Sequence, residues 1–477
     1  MGKPTVWKTG ELKLDHVSAV SLVDQISRHI EGAIVEGSLA PGGRVPSCRD
    51  LAVQLGVARG TVKAAYDRLV DRDILMTAGA AGTRVVDPLP PFFTAPGNEA
   101  RESLVPQHFP YSSHQALPFQ MGVPAHDAFP GALLCRLHRQ AVPEASTKTS
   151  HTDPRGSSQL REALASHLAI GRGIQCSPEQ IMVTAGFRGG LALALRAIGG
   201  AGKQAWVEDP GYPATRLALA LSEMEPIAVP VDIAGLDVQC AQLLAPDASL
   251  AIVTPGQQAP SGVVMSLQRR GELLRWAAEA GSWVVEDDYL ADLSLSRRPV
   301  QALAAGRGAD RVIHIGSLSK TISPALGVGF VVAPLSLAPR MVEIATWLGS
   351  SPNVAIQLAL ARFLNEGHYL RHLRRMRNLY VQRRQSLLQA LKRCGVTTAE
   401  AAGLAVLLPL PDQADDERLA IDAEALGLGP VPLSPWFVDR TTSRSGLLLG
   451  VANVLDRTID DDCGKLLSLI KKRPHPA

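Results

Sequence analysis

Four short stretches of this chain carry residues able to do chemistry. The first ends on one lysine, Lys320, in Gly316-Ser317-Leu318-Ser319-Lys320-Thr321, directly after the apolar run Val312-Ile313-His314-Ile315. A strand that ends in small hydroxyl residues and delivers one amine suits condensation with an aldehyde beside a phosphate. The second is Asp287-Asp288-Tyr289, after the run Trp283-Val284-Val285-Glu286. Carboxylates at the carboxyl end of a strand stand where open α/β sheets bind ligands. One of them can pair with a protonated ring nitrogen, and Tyr289 can hydrogen-bond a ring hydroxyl. The third, Thr184-Ala185-Gly186-Phe187-Arg188-Gly189-Gly190, lies between a strand and an Ala/Leu-rich helix. Backbone amides at such a helix start make an anion site. The fourth, Glu208-Asp209-Pro210-Gly211-Tyr212-Pro213, ends another strand and offers Tyr212 to stack on a ring. An amine, a ring partner and a phosphate seat are what pyridoxal phosphate requires of a protein.

These turns need a rigid frame. From about Phe119 onward, helical stretches alternate with β-rich runs: 180–184, 204–207, 250–254, 283–286, 312–315 and 329–333. Apolar strands bounded by helices predict a mainly parallel sheet covered on both faces. Residues 87–117 are rich in proline (Pro88, Pro90, Pro91, Pro96, Pro106, Pro110), which predicts a semi-rigid spacer. The expected division is therefore 16–86, a linker over 87–117, and a large domain over 118–472. At 477 residues, 46% apolar and 19% charged, the chain is too apolar for disorder. Its six cysteines are scattered without C-x-x-C spacing, which argues against a disulfide framework or metal site and fits reduced thiols. No apolar run reaches the length of a membrane span, so a cytoplasmic protein without membrane contact is expected.

The first domain reads differently. Leu22, Ile26, Ile30 and Ile34 repeat at helical spacing. Ser47-Cys48-Arg49-Asp50 has the form of a capping box. It opens a helix with Leu51, Ala52 and Leu55 inward; Gly56-Val57 then turns into a second helix with Val62, Ala65 and Leu69 inward. Arg59, Thr61, Lys63 and Arg68 face outward on the second helix. Helix, glycine turn and a second helix with basic exposed residues form the layout of a helix-turn-helix. Ile74-Leu75-Met76 and Thr83-Arg84-Val85-Val86, joined by a glycine-rich tip, make a β-wing. Residues 1–86 carry 11 Lys+Arg against 9 Asp+Glu, so DNA binding must rest on where the charges lie. The run Leu39-x-Pro41-Gly42 to Pro46-Ser47-x-Arg49-x-Leu51-Ala52, followed by Val57-x-Arg59-x-Thr61-Val62-x-x-Ala65-Tyr66-x-x-Leu69, resembles the GntR family of winged-helix regulators. The resemblance implies contacts to operator DNA by Arg49, Arg59, Thr61, Lys63, Gly82 and Thr83. Ala58 stands where the family usually places an N-capping Ser, and Gly60 where a polar residue is common.

The four turns of the large domain, in this order, resemble fold-type I aminotransferases. Joined to the GntR-like reader, the whole chain resembles the MocR/GabR family of transcription regulators. The fold class implied is α/β: a winged helix-turn-helix, then an aminotransferase-like domain with a small C-terminal α+β subdomain. Residue by residue, the resemblance makes Lys320 the lysine that holds pyridoxal phosphate as a Schiff base and Ser317 a phosphate ligand. Asp287 becomes the pyridinium partner with Asp288 as rival, Tyr289 the ring-hydroxyl partner and Tyr212 the stacking aromatic. Gly186, Phe187 and Arg188 form the phosphate turn. Asp153-Pro154-Arg155-Gly156, Arg161 and Arg172 are landmarks that look structural.

The chain departs from the family at several points. Gly327 replaces an Arg that usually grips the phosphate, and Arg188 replaces a usual Gln, which can restore the charge. Gln257 stands for a frequent His and Ala259 for an Asn or aromatic. His151 stands where a neighbouring subunit's Tyr is common. Ala214 takes the place of an Arg found in GABA-sensing members, which disfavours GABA. Arg440 and Arg444 are candidates for gripping a ligand carboxylate. The function implied is a dimeric regulator that binds pyridoxal phosphate and senses an amine, an amino acid or the B6 vitamer itself. Two other readings stay open: an active aminotransferase that also binds DNA, and a repressor whose aminotransferase-like domain no longer binds the cofactor.

Overall fold

The computed structural model describes residues 14–15, 20–35, 37–77, 79, 82–88, 116–147, 153–295, 301–349, 351–411, 414–438 and 444–472. Most of the expected linker, His151 and Arg440 lie outside the described residues. The chain divides into two units, Met1–Gln107 and His108–Ala477.

The first unit holds α1 (Leu22–Val35), α2 (Cys48–Leu55), α3 (Arg59–Asp71) and the antiparallel pair β1 (Leu75–Thr77) and β2 (Thr83–Val85). Ile26, Ile30, Leu51, Val62, Ala65 and Leu69 meet in one core, the i, i+3/i+4 spacing turned into a buried stripe. The Ser47 hydroxyl accepts from the Asp50 N–H at 3.2 Å and donates to its carboxylate at 2.7 Å, which starts α2. Gly56 ends that helix at φ +66°, a conformation glycine adopts without strain. The Tyr66 hydroxyl donates to the Pro46 carbonyl at 2.8 Å and locks α3 against the chain before α2.

The second unit opens with α4 (Gly131–Ser146) and α5 (Ser158–Arg172). There follow β3 (Ile181–Thr184), α6 (Gly186–Ile198), β4 (Gln204–Asp209), α7 (Pro213–Leu221), β5 (Glu225–Asp232), β6 (Gly235–Leu236) and α8 (Val238–Leu244). The alternation continues with β7 (Leu250–Val253), α9 (Leu267–Glu279), β8 (Trp283–Asp288), β9 (Val312–Ser317) and β10 (Gly329–Val332). Helices α10 (Ala338–Leu348), α11 (Val354–Asn365) and α12 (His368–Arg393) lead to a smaller layer. It comprises β11 (Glu400–Ala402), β12 (Ala405–Pro409), α13 (Asp416–Glu424), β13 (Val431–Pro432), β14 (Gly446–Gly450) and α14 (Ile459–Lys472).

The large sheet has the order β3-β10-β9-β8-β7-β4-β5-β6, and the small antiparallel sheet the order β11-β12-β14-β13. Strands β9, β8, β7, β4 and β5 run parallel, while β10 is antiparallel to both its neighbours. Gly329 pairs with Thr184 on one side and Ser317 on the other. The ends of β3 and β9 are thereby level at the same sheet edge. β5 departs from the sequence reading, because Pro226 and Pro230 hide it as a strand. Both prolines fit because β5 lies beside the sheet edge, with only the two-residue β6 beyond it. β8 and β9 also run further than their apolar runs, so Asp287, Asp288 and Ser317 belong to strands and not to the turns after them.

Candidate functional site

Strand alternation distributes the polar residues of β8 and β9. Register pairs Glu286 with His314, Asp287 with Ile315 and Asp288 with Gly316. Neighbouring side chains point to opposite faces. Glu286, Asp288 and His314 therefore share one face, while Asp287 and Ser317 share the other. Val285, Ile313 and Ile315 on that second face pack in one cluster with Leu191 and Ala194 of α6. Asp287 thus faces the side covered by the helix whose first residue is Gly186.

On the first face the carboxylates are already partnered. Arg172 donates its Nε–H to Asp288 Oδ2 at 2.7 Å, and both side chains are buried. His314 Nδ1 lies 2.9 Å from Glu286, which also accepts from the Leu303 and Ala304 amides at 2.5 and 3.0 Å. Burial pushes the Glu286 carboxyl up, but these bonds outweigh it and hold it below the usual range. Asp288, the rival for a ring nitrogen, is consumed by this network. Replacing Arg172 by Met strands Asp288 in the interior. It is expected to lower the unfolding free energy by about 3–5 kcal/mol in a denaturant titration.

On the second face Asp287 is buried, and its Oδ1 has no hydrogen-bond partner. Burial, followed by the charges of Asp288 and Glu208, pushes its carboxyl well above the ordinary range, while Lys320 pulls it down. A buried unsatisfied oxygen is costly and calls for a donor. Lys320 follows β9 by three residues, and its Nζ donates to the Gly122 carbonyl at 3.0 Å. Burial first, and Arg188 in addition, lower the lysine pKa against the opposing effect of Asp287. A lowered pKa favours the neutral, nucleophilic form of the amine.

Around this pair stand the other predicted residues. Gly186 starts α6 at φ +70°, and a side-chain carbon there would lie 3.9 Å from Ser319 Oγ. The first N–H groups of α6 thus open toward the lysine turn. Ser317 Oγ accepts from the Ser319 amide at 3.2 Å. Tyr212 sits between Phe187 and Trp436, with ring centroids 6.4 and 6.0 Å away. Its hydroxyl hydrogen-bonds Arg188, whose charge partly offsets the upward push of burial. Burial raises the Tyr289 hydroxyl, and Gln257 hydrogen-bonds it. Gly327 caps a short 3₁₀ turn at φ +57°, and no atom lies within 4 Å of a side-chain carbon built there. Arg444 is exposed. Gly122 and Trp436 were not foreseen. A backbone carbonyl leaves no residue-type signature, and Trp436 reaches Tyr212 from a distant part of the chain.

In the first unit Arg49, Arg59 and Lys63 are exposed, and Thr61 is half-buried in the first turn of α3. Ala58 gives α3 no side-chain cap. Gly82, at φ +86°, closes the turn between β1 and β2, and Thr83 pairs with Thr77 beside it. Arg44, also unforeseen, covers Gly82 so closely that a side-chain carbon there would lie 2.9 Å from its Nε. Arg68 is exposed as expected, and its guanidinium is ion-paired with Asp24 of α1.

Comparison with known proteins agrees with both units. Residues 22–85 match the bacterial regulatory proteins of the gntR family, and residues 128–426 match aminotransferase class I and II. The chain is 30% identical over 478 residues to the probable rhizopine catabolism regulatory protein MocR of Rhizobium meliloti, covering 96% of this chain and 95% of that one. It is 33% identical over 364 residues to the pyridoxine biosynthesis transcriptional regulator PdxR of Corynebacterium glutamicum, covering 76% and 77%. The solved kynurenine aminotransferase of Pyrococcus horikoshii, a complex with PMP, superposes with a TM-score of 0.67 at 25% identity, covering 76% of this chain and 92% of that one. The orphaned Asp287 oxygen, the depressed Lys320 amine and the open start of α6 fit pyridoxal phosphate, the cofactor that this fold implies. The chain belongs to the MocR-type family of transcription regulators, in which a GntR winged helix-turn-helix is joined to an aminotransferase class I and II domain.

Proposed function

We propose that the second unit binds pyridoxal phosphate on Lys320 and uses it to sense an amine, an amino acid or the vitamer itself. The carrying observation is the buried, unpartnered Asp287 oxygen on the same sheet face as Ser317. When bound, the cofactor supplies an aldehyde and an electron-withdrawing ring. The protein supplies the rest. Asp287 receives the ring N–H, Tyr289 holds the ring hydroxyl with Gln257 behind it, and Tyr212 stacks. The α6 amides and Ser317 seat the phosphate, and Arg188 contributes the positive charge that Gly327 lacks. Asp288 takes no part, since Arg172 holds it.

The first unit binds operator DNA. Arg49, Arg59 and Lys63, with Thr61 and the wing residues Gly82 and Thr83, form its contact face. Two such readers in a homodimer would meet two half-sites. The exposed Trp347 and Leu348 at the end of α10 favour association with a second copy. Ligand control requires that the effector bind two arrangements of the dimer unequally.

The test combines an absorption titration with pyridoxal phosphate and an operator-binding assay. A visible band together with a cofactor- or amine-dependent operator affinity supports the reading. No band at saturating cofactor would sink it, and sustained turnover with a keto-acid acceptor would move the chain to the enzymes. Arg59→Ala is expected to weaken operator binding about 5- to 150-fold, the range of one bidentate base contact, and to leave the band unchanged. Loss of both together would indicate a misfolded chain.

A further inference from the structure

The wing of the reader is wider than its hairpin. The stretch before α2 pairs with β2 as a third strand. The Gly42 N–H donates to the Val85 carbonyl at 3.1 Å, the Val85 N–H to the Gly43 carbonyl at 2.9 Å and the Val45 N–H to the Thr83 carbonyl at 3.1 Å. Arg44 and Arg84 are thereby set directly opposite each other. No backbone hydrogen bond joins these two residues themselves, which is the closer of the two antiparallel arrangements. Val45 and Val85 point to the other face, into the core. Arg84 also faces Met76 of β1, which is exposed. The outer face of the wing sheet thus bears the row Arg44, Arg84, Met76. Like charges opposed in this way destabilise a sheet, and the two side chains diverge. Arg84 Nη1 donates to the Gly42 carbonyl at 3.0 Å, on the side where Asp87 lies. The Arg44 guanidinium lies the other way, over Gly82, with Nε 2.9 Å and Nη2 3.0 Å from where a side-chain carbon would stand. Among the described residues neither arginine is ion-paired, whereas Arg68 and Arg72 are tied to Asp24 and Glu31 of α1.

We propose that Arg44 is a DNA phosphate ligand, which supplies at the wing turn the charge that Gly82 and Thr83 lack. The inference rests on the first unit binding DNA through the face that holds those two residues. Gly82 can offer a phosphate only its N–H, and that N–H is already given to the Gly79 carbonyl at 3.1 Å. The guanidinium lying on the turn is therefore the group there that can hold an anion. It presents five N–H donors in a plane and grips a phosphate through two at once. The Arg44 backbone is fixed by its pairing with β2, so the head is presented from a strand and not from the loop. A phosphate bound there also offsets the repulsion between Arg44 and Arg84 that the DNA-free protein carries. The two effects have opposite signs: Arg44 costs the free protein stability and strengthens the DNA complex. A residue kept for the fold alone would do the reverse. The contact positions the reader and carries no base information.

Salt titrations of the full-length protein on random-sequence duplex DNA test this, with thermal melting of the same samples. Each phosphate contact contributes about 0.9 to the slope of log affinity against log salt. Arg44→Gln is expected to flatten the slope by about that amount, equally on A·T-rich and G·C-rich duplexes. Its melting temperature without DNA should be equal to that of the wild type or higher. Arg44→Lys keeps the charge and is expected to keep the slope. Arg307→Gln, at an exposed position of the second unit, removes the same net charge and should change nothing. An unchanged slope in Arg44→Gln overturns the inference. So does an equal flattening in Arg307→Gln, which would trace the effect to net charge. A loss confined to A·T-rich duplexes would assign Arg44 to the edges of bases in the minor groove and overturn the phosphate contact. Earlier melting of Arg44→Gln would give the arginine a structural role and overturn it likewise. If the wild-type protein binds no duplex at all, the DNA-binding reading of the first unit falls, and this inference with it.

Discussion

Lys320→Ala is expected to abolish the visible absorption band that the protein acquires with pyridoxal phosphate, while the chain still folds and still binds operator DNA. The amine is the only part of the proposed site that bonds to the cofactor, so the effect on the band is all or none. The fold does not depend on it. Lys320 emerges after β9, outside the strand ladder, and among the described residues its side chain hydrogen-bonds Gly122. Asp287, Tyr212 and the α6 amides remain in the variant, so weak non-covalent binding should persist in equilibrium dialysis. Borohydride reduction of the wild-type complex should trap cofactor mass on the peptide that contains residue 320, and on no peptide of the variant. A band that survives in Lys320→Ala would place the covalent site elsewhere and discard the assignment.

The second large effect is expected from Asp287→Asn, and it has two opposite signs. A ring N–H paired with a carboxylate is a charge-assisted hydrogen bond worth about 1.5–3 kcal/mol, so its loss should weaken cofactor binding about 10- to 150-fold. Without cofactor the same substitution should stabilise the protein. The Asp287 carboxyl is pushed up by burial and by its neighbours Asp288 and Glu208, so the folded chain holds its proton more tightly than the unfolded chain does. Stability is therefore greatest below the unfolded value near 3.9. It falls by about 1.4 kcal/mol for each pH unit until the raised folded pKa is passed. Asparagine carries no such titration. Melting curves of the cofactor-free proteins should coincide near pH 4 and separate as pH rises, with the variant the more stable. Equal cofactor affinity in the two proteins would show that Asp287 does not face the ring.

How much of this was legible in the chain depends on what kind of signal each residue leaves. Lys320, Asp287, Tyr212 and the turn at Gly186 stand out because each pairs a reactive or permissive residue type with the end of an apolar run. The sheet edge then brings together what those runs imply. The choice between Asp287 and Asp288 was left open in the sequence, because it depends on which face each strand presents. The register of β8 against β9 puts the two on opposite faces, and Arg172, 116 positions away, pairs with Asp288. His314 looked like one residue of an apolar strand, and only its partner Glu286 explains how a polar ring sits inside. β5 was missed because two prolines argue against a strand unless its place near the edge is known. The outward position of Arg68 was legible, but not its partner Asp24, because a helix wheel gives direction and not the neighbouring helix. In the reader, the helical stripes and the Ser47 cap were visible because both are local.

The pairing of Gly329 with both Thr184 and Ser317 bears on how accurately such a site can be assembled. The proposed anion seat at Gly186 and the lysine turn after Ser317 are separated by more than a hundred residues of chain, and loops of that length would let them drift. One residue of β10, held in register with both strands, makes the two halves a single rigid body. Their spacing is then set by hydrogen-bond lengths, which vary by tenths of an ångström. Its close fit leaves no room for a side chain, since a carbon on Gly329 would lie 2.8 Å from the Gly186 backbone. The tolerance of the whole site is thus fixed at a position that carries no reactive group and need touch no ligand.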